Sequence, residues 1–306
     1  MKKYNCKTMF LKPGSTIAIA ATARHIDKKM IQNVTIIFEN WGLNVLVNET
    51  LFAQENAFAG SDGLRAKAFQ TLLDNEEVEA IIIARGGYGT VRIIDQLDFT
   101  KFAKNPKIIA GFSDATVLHS HINKNYGVPT LHSCMPVTMQ GKYYNIQTIE
   151  SLKNALFGNK SIIQFAQHEF NKKSPVSGEI IGGNLSVLFS LLGSNSELDF
   201  ENKILFIEDI GEYYYHIDRM MQAFKRAGKL KNLKALIVGG MNDMNENAAP
   251  FAFNKTCYEI IKETVEEYTY PVFYGFPAGH ENLNLSVWLG KNCSISVDDD
   301  FVYFEQ

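Results

Sequence analysis

Two stretches of the sequence, EAIIIARGGYG at residues 79–89 and KIIAGFSDA at residues 107–115, decide the fold. Each carries a short, continuously apolar run into a turn that contains glycine, a pattern typical of parallel strands buried on both faces. Outward from these stretches, the same alternation predicts strands at residues 16–21 and 43–47 and helices at residues 27–41, 65–73, 91–97 and 115–124. The first half of the chain is therefore predicted to form a Rossmann-like parallel sheet covered by helices.

The composition is that of a folded, enzyme-sized chain. Of the 306 residues, 46% are apolar and 21% are charged, which excludes an intrinsically disordered polymer. Thirty basic residues against 33 acidic ones leave a net charge of −3, so the sequence predicts no nucleic-acid partner. No apolar run approaches the ~18 residues of a membrane span. The length corresponds to about two domains.

The cysteines and the N-terminal residues both indicate a cytoplasmic protein. No CxxC pair and no metal-ligand spacing occurs, so we expect reduced thiols at Cys6, Cys134, Cys257 and Cys293. Near the N-terminus, Lys12, Pro13 and Gly14 interrupt the region where the apolar segment of a signal peptide would lie. A turn that leads into a first buried strand is the better interpretation.

The regular alternation lapses at residues 141–177, where polar turn residues and a cluster of lysines predict a crossover between domains. The predicted organisation is an N-terminal domain at residues 1–140 and a mixed α/β C-terminal domain at residues 178–306.

Helices and strands resume in the second half of the chain. Gly182-Gly183-Asn184 is predicted to open a helix at residues 185–192, and a strand at residues 203–207 is predicted to end at Glu208. Further strands are expected at residues 235–238, 271–276, 285–289, 294–297 and 301–304, with helices at 216–227 and 255–267. Asp298-Asp299-Asp300 is most simply a charged hairpin turn.

Ser113 has two interpretations. A serine at a turn from strand to helix presents its hydroxyl at the edge of the sheet, and the next N–H can stabilise an oxyanion. The motif differs from G-x-S-x-G because Ala115 replaces the second glycine. Alternatively, Ser113 or Asp114 caps the following helix. The short motif alone leaves nucleophile and cap equally open.

A serine nucleophile requires a base, and the base requires an orienting carboxylate. His280 lies in a glycine-flanked loop after a predicted buried strand, where parallel sheets build their sites. Glu208 ends another apolar run and either orients that imidazole or begins a solvated loop. Ser113, Glu208 and His280 follow one of the known triad orders. His119 is a poor metal ligand with His121, two residues away on a predicted helix, and no metal site is predicted.

The glycine-rich turn at residues 85–89 is a weak phosphate signal, because neither GxGxxG nor GxxxxGK[ST] is present. Its backbone N–H groups could instead bind a carboxylate or complete an oxyanion hole, or the glycines could simply serve a tight turn. Residues 182–184 permit the same interpretations.

The chain resembles the LD-carboxypeptidase family of serine peptidases (family S66), which includes muramoyltetrapeptide carboxypeptidases and the microcin-immunity hydrolases. The matching segments appear in the family's order and span about residues 11 to 290. They are residues 11–14 (LKPG), 84–89 (ARGGYG), 111–114 (GFSD), 182–185 (GGNL), 207–209 (IED), 218–220 (DRM) and 279–281 (GHE).

The resemblance implies a Ser-Glu-His triad with Ser113 as nucleophile, His280 as general base and Glu208 holding the imidazole. The nucleophile would come from a Rossmann-like domain, and the other two from a C-terminal domain of β-barrel character. The N–H groups of Asp114 and Gly87 would form the oxyanion hole. Family members release terminal D-alanine from peptidoglycan tetrapeptides during cytoplasmic recycling of the cell wall, need no metal or cofactor and usually form homodimers.

Substrate contacts are expected near the glycine turn. Arg85 or the amides of the turn are candidates for a terminal carboxylate, and further candidates for substrate binding are Gly86, Tyr88 and Asn184. The sequence departs from the family pattern at residues 21–24 and 132–135, and both segments are candidates for lining the cleft. Alternative functions are hydrolysis of aminoacyl or peptidyl adenylates and non-catalytic binding of wall peptides.

Overall fold

The computed structural model describes residues 10–306. The helices and strands of the first half are β1 (Thr16–Ala20), α1 (Lys28–Asn40), β2 (Asn44–Val47), α2 (Asp62–Asp74), β3 (Val78–Ile83), α3 (Thr100–Lys104), β4 (Ile108–Gly111), α4 (Thr116–Tyr126), β5 (Thr130–His132), α5 (Ile146–Phe157) and β6 (Ile162–Ala166). Those of the second half are β7 (Val176–Asn184), α6 (Leu185–Ser190), β8 (Ile204–Ile210), α7 (Tyr214–Arg226), β9 (Ala235–Asn242), α8 (Cys257–Val265), β10 (Val272–Tyr274), β11 (Val287–Leu289), β12 (Lys291–Val297) and β13 (Phe301–Glu305).

The first sheet has the order β11-β5-β4-β3-β1-β2, and its five N-terminal strands are parallel. Successive side chains of β3 point to opposite faces, and both faces are covered. Ala80 and Ile82 belong to one apolar core, whereas Ile81 and Ile83 belong to another. Because a strand buried on both faces has no polar side, its sequence is a continuous apolar run. The prediction of a helix-covered parallel sheet is confirmed.

The second sheet has the order β10-β9-β8-β7-β12-β13-β6. Strands β7 to β10 are parallel, and β12, β13 and β6 are antiparallel. A bridge between Lys172 and Val272 connects the segment after β6 to β10 at the opposite end of the sheet, which curls it toward a half-barrel. The prediction of a mixed α/β second unit with β-barrel character is therefore confirmed.

Residues 141–177 contain regular structure that their turn residues concealed. Asn145 caps α5 by accepting hydrogen bonds from two backbone N–H groups, and Gly158 ends it with a φ of 77°. The asparagine and the glycine thus mark the two ends of a helix within this segment. Helix α5 packs on the core of the first sheet, and β6 pairs with β13 in the second. The proposed domain limits stay a prediction.

Two predictions about secondary structure need correction. Residues 91–97 form two separate 3₁₀ turns, Thr90–Arg92 and Ile94–Gln96, instead of one helix. Gly182 and Gly183 lie inside β7 rather than in a loop before α6. A Cβ at Gly182 would collide with the Phe206 carbonyl of the neighbouring strand, so glycine is required there by close strand approach.

Strand β11 departs from the order of the chain. It follows the second sheet's β10 in sequence, yet it pairs antiparallel with β5 at the edge of the first sheet. The loop before it, which carries His280, is thereby held between the two sheets.

Within residues 10–306, no helix is both long and apolar enough to cross a membrane. Cys134, Cys257 and Cys293 are buried free thiols, in line with the expectation of reduced cysteines, and Cys6 lies outside the described residues.

Candidate active site

Ser113 lies on the turn between β4 and α4 with a φ of +62°. This left-handed conformation is strained for a residue with a Cβ, and such strain is concentrated at functional sites. The turn packs closely against the glycine-rich segment, since a Cβ at Gly86 would lie 3.1 Å from Ser113 Oγ. At the start of α4 no side chain makes a capping hydrogen bond. The hydroxyl of Ser113 is therefore not used as a helix cap.

Glu208 and His280 form a largely buried, hydrogen-bonded pair. Oε2 of Glu208 accepts a hydrogen bond from the His280 backbone N–H at 3.2 Å and is hydrogen-bonded to Nδ1 of the His280 ring at 2.7 Å. Glu208 lies inside β8, next to a register shift in the pairing with β9, whereas the predicted strand ended at Glu208. Gly279 permits the approach, because a Cβ there would lie 2.7 Å from the Glu208 Cβ.

Each member of this pair shifts the pKa of the other toward the charged form. Burial lowers the pKa of His280, but the charge of Glu208 and its hydrogen bond outweigh burial, and the net pKa is raised. Burial raises the pKa of Glu208, but the charge and hydrogen bond of His280 outweigh it and the net pKa is lowered. A carboxylate that favours imidazolium is the arrangement a general base requires.

A cavity of about 430 Å³ brings the two halves together, since Ser113 and His280 both line it. Phe112, which precedes Ser113 in the chain, also lines the cavity, and its ring centroid is 4.7 Å from that of His280. In the described chain, the hydrogen bonds of His280 involve Glu208 and Asn242 but not Ser113. Catalytic hydrogen bonds often tighten only when substrate binds, so this geometry is compatible with transfer of the serine proton.

Backbone donors next to Ser113 are free. Among described groups, the N–H of Gly86, Gly87 and Asp114 donates no hydrogen bond. Gly86 and Gly87 line the cavity, and Gly87 has a φ of +108°, which favours glycine. Asp114 is held in place because its carboxylate accepts from the Thr90 N–H at 2.9 Å. The predicted oxyanion donors thus flank the serine.

Charged groups of both signs line the cavity. The two cations, Arg24 and Arg85, come from the turns after β1 and β3, and the two carboxylates, Asp243 and Glu281, come from the second half of the chain. In residues 10–306 none of the four forms a salt bridge, although Arg85 donates to the His25 carbonyl at 3.2 Å. The cavity can therefore receive a ligand with both a carboxylate and a cation.

Arg24, Asp243 and Glu281 line the cavity, although none of the three was predicted individually to bind substrate. The signal was available for two of them, because Arg24 and Asp243 follow the carboxyl ends of β1 and β9, where parallel sheets build sites. Both segments that depart from the family pattern contribute to the cavity lining: residues 21–24 through Arg24, and residues 132–135 through Met135.

Two tentative substrate residues lie elsewhere. Tyr88 is 51% exposed and is not part of the cavity lining. Asn184 is buried, caps α6 by accepting from the Val187 N–H at 3.1 Å and donates to Asp209 at 3.0 Å. It therefore supports the strand edge beside Glu208 rather than facing the cavity.

The remaining histidines do not assemble a cation site. His119 bonds the Gly111 carbonyl at 2.9 Å, whereas His121 bonds Ser196, so the two point to different faces as predicted. Within the described range, no group of three or more His, Cys, Asp or Glu side chains is arranged to hold a metal.

Family models match both halves of the chain. The LD-carboxypeptidase N-terminal domain matches residues 17–133, and the LD-carboxypeptidase C-terminal domain matches residues 177–295. A Bacillus subtilis protein described as a probable murein peptide carboxypeptidase is 32% identical, over 98% of this chain and 95% of that protein. The murein tetrapeptide carboxypeptidase of Pseudomonas aeruginosa is 24% identical, over 90% and 91%.

Solved structures share the fold. The muramoyltetrapeptide carboxypeptidase from Oxalobacter formigenes superposes with a TM-score of 0.86 at 24% identity, over 95% of this chain and 98% of that one. The microcin C7 self-immunity protein MccF in complex with aspartyl sulfamoyl adenosine superposes with a TM-score of 0.83 at 22% identity, over 97% of each chain. The family models and the Bacillus relative therefore confirm the resemblance: this chain belongs to the LD-carboxypeptidase family and is an enzyme of the carboxypeptidase class.

Proposed function

We propose that this enzyme is a serine LD-carboxypeptidase that removes the terminal D-alanine from murein tetrapeptides. Ser113 is the nucleophile, His280 the general base, and Glu208 the residue that orients and charges the base. The names of the Bacillus and Pseudomonas relatives point to the same substrate class.

The observation that carries the proposal is the pairing of Glu208 with His280, at 2.7 Å, beside a cavity that Ser113 also lines. Because Nδ1 is bonded to Glu208, the other ring nitrogen, Nε2, is the one left for the serine proton. The raised pKa of His280 makes it a stronger proton acceptor.

The chemistry follows in two steps. Ser113 Oγ attacks the carbonyl carbon of the L,D bond while His280 takes its proton, and the oxyanion forms beside the Gly87 and Asp114 N–H groups. The C–N bond then breaks, and His280 returns the proton to the amine of the leaving D-alanine. Water, deprotonated by His280, then attacks the acyl-serine. The bond from the acyl carbon to Oγ breaks, His280 returns the proton to Ser113 Oγ, and the shortened peptide leaves with a new carboxylate.

The terminal carboxylate of the substrate needs a cationic partner beyond the scissile bond. Arg24 and Arg85 are the two cations of the cavity lining, and the Arg24 side chain lies across Gly87, 2.6 Å from where a Cβ there would be. An arginine beside the oxyanion donors places the carboxylate one residue away from the reacting carbonyl. We therefore assign both arginines to the D-alanine carboxylate, with Arg24 the more available because Arg85 already donates to His25.

The decisive experiment measures D-alanine release from a murein tetrapeptide, with no added metal and with a chelator present. Wild-type enzyme is expected to release D-alanine, and folded Ser113→Ala is expected to bind the peptide without releasing it. Equal release by the variant would eliminate the serine mechanism. Binding without release by both proteins would favour a wall-peptide binding function.

A second candidate function is hydrolysis of acyl adenylates. The favouring observation is Tyr143, an aromatic side chain in the cavity lining and 45% exposed, which could stack on a purine. Lys142 lies over that ring at 4.7 Å and covers one of its faces. Cleavage of an aspartyl or peptidyl adenylate analogue faster than the tetrapeptide would make this the principal function.

We also expect the enzyme to be homodimeric and cytoplasmic. Sedimentation tests the first expectation, and cell fractionation tests the second.

A further inference from the structure

Unpartnered polar atoms are concentrated around Glu208. In the described chain, buried atoms without a hydrogen-bond partner include Oε1 of Glu208, both ring nitrogens of His132 and Nδ2 of Asn284. Oε2 of the same carboxylate has two partners, both from His280. Buried polar groups in folded proteins are almost always hydrogen-bonded, so several orphans beside one carboxylate require an explanation.

His132 is placed against this carboxylate by three elements. It ends β5, where it pairs with Gly111 of β4 on one side and Val287 of β11 on the other. Its ring packs edge-on against Phe206, with centroids 5.1 Å apart, and Phe206 precedes Glu208 by two residues on β8. Side chains two apart on a strand share a face, so Glu208 lies on the side of β8 that His132 contacts.

Asn284 is a further polar residue near the Glu208 carboxylate, besides His280 and His132. Its Oδ1 accepts from the Gly279 N–H at 2.9 Å, and Gly279 packs directly on Glu208. Besides burial, the charge of Glu208 and the nearby Asn284 side chain act to raise the pKa of His132, whereas the charge of His280 acts to lower it. His119 also lies within electrostatic range, because the charge of His132 lowers its pKa. The ring is fully buried, and burial lowers its pKa to about 4, so at neutral pH it carries one N–H and one lone pair.

We propose that His132 is a positioning residue for the triad, holding Oε1 of Glu208 through one buried water that Asn284 also binds. Such a water meets the number of polar partners that buried waters need. With Oε1 held, the carboxylate cannot rotate, and Oε2 stays directed at Nδ1 of His280. The expected effect of His132 on kcat rests on the proposed function, whereas its position near Glu208 does not.

Two variants separate positioning from packing. His132→Phe keeps an aromatic ring against Phe206 but removes the donor, and His132→Gln restores an N–H. We expect His132→Phe to stay folded and to lose about 10- to 100-fold in kcat, the worth of one hydrogen bond to a charged group, with KM within twofold. His132→Gln should recover most of kcat. Phe273→Leu, a buried substitution in the same core as Phe206, should lower stability and leave kcat unchanged.

A second readout does not require turnover. The proton between Nδ1 of His280 and Glu208 should give a downfield proton NMR resonance in wild type, absent in His280→Gln. We expect this signal to broaden or vanish in His132→Phe and to return in His132→Gln. If the wild type released no D-alanine but the signal behaved in this way, the proposed function would fall and the positioning role would stand.

Wild-type kcat with an unchanged downfield signal in folded His132→Phe would overturn the role. So would a folded His132→Gln variant as impaired as His132→Phe. If His132→Phe did not fold, His132→Gln would decide alone: near wild-type kcat supports positioning, and a large loss contradicts it.

Discussion

The two halves of the candidate site are held in place by different forces. Ser113 is positioned by backbone conformation, with a φ of +62° on a turn that closely approaches Gly86. Glu208 and His280 are positioned by burial and charge, and they are 72 residues apart in sequence. The fold should therefore tolerate a change of the Ser113 side chain, although activity should not. Loss of either member of the buried pair should disturb the position of the other as well.

The largest expected effect is at the nucleophile. Ser113→Ala should reduce kcat on the order of 10⁶-fold, as loss of a serine nucleophile does. Stability should respond separately, because Ser113→Gly relieves the left-handed strain and Ser113→Ala does not. Urea unfolding should find the glycine variant more stable than the alanine variant by about 1 kcal/mol. Equal stability of the two would contradict backbone strain as the positioning force.

The next effect is at the carboxylate. Glu208→Gln should lower kcat about 10⁴-fold, because the amide neither stabilises imidazolium nor selects the correct tautomer. The pH profile of kcat/KM should change as well. Activity needs neutral His280 and rises with pH through its pKa, which Glu208 raises. The acid limb of the kcat/KM profile should therefore move to lower pH in the variant. An unchanged limb would show that Glu208 does not raise the pKa of the general base.

A smaller effect tests the close packing around the nucleophile. Gly86→Ala places a Cβ 3.1 Å from Ser113 Oγ and should displace the hydroxyl, with a loss of about 100-fold in kcat. The matched control is Gly63→Ala on α2, where a Cβ meets nothing within 4 Å. It should gain ~0.5–1 kcal/mol in unfolding free energy and keep full activity. Full activity in Gly86→Ala would show that the turn can shift to accept the Cβ without displacing the Ser113 hydroxyl.

The smallest effect concerns the cationic wall. Arg24→Gln should raise KM about tenfold, the worth of one charge-assisted hydrogen bond, with kcat little changed. A tetrapeptide whose terminal D-alanine is amidated should be hydrolysed equally by wild type and variant. Arg92→Gln, which removes a cation bonded to Asp62 outside the cavity, serves as the control. If Arg24→Gln still preferred the free acid over the amidated tetrapeptide as strongly as wild type does, the carboxylate would be assigned to Arg85 instead.

Several features of the fold were predictable because they depend on local patterns. Continuous apolar runs identified β3 and β4, and the position of Ser113 at the turn after β4 followed from that strand. The errors arose where local signals were ambiguous. Gly182 and Gly183 suggested a loop, but the neighbouring β8 backbone requires them inside a strand. Polar residues at residues 141–177 concealed the helix α5, because helix caps and loops use the same residue types.

Apolar periodicity and the ordered motifs were enough to predict the class of fold, the family and the positions of Ser113, Glu208 and His280 along the chain. They could not predict that Glu208 lies within β8, that its carboxylate meets His280 and that Arg24 shares their cavity, because these features depend on tertiary contacts. The same contacts bury His132, the last residue of a short strand, within electrostatic range of that carboxylate. The physical reason is that apolar periodicity reports only which face of an element is buried. The partner on that face is chosen by contacts between distant parts of the chain, here through β11 crossing to the first sheet.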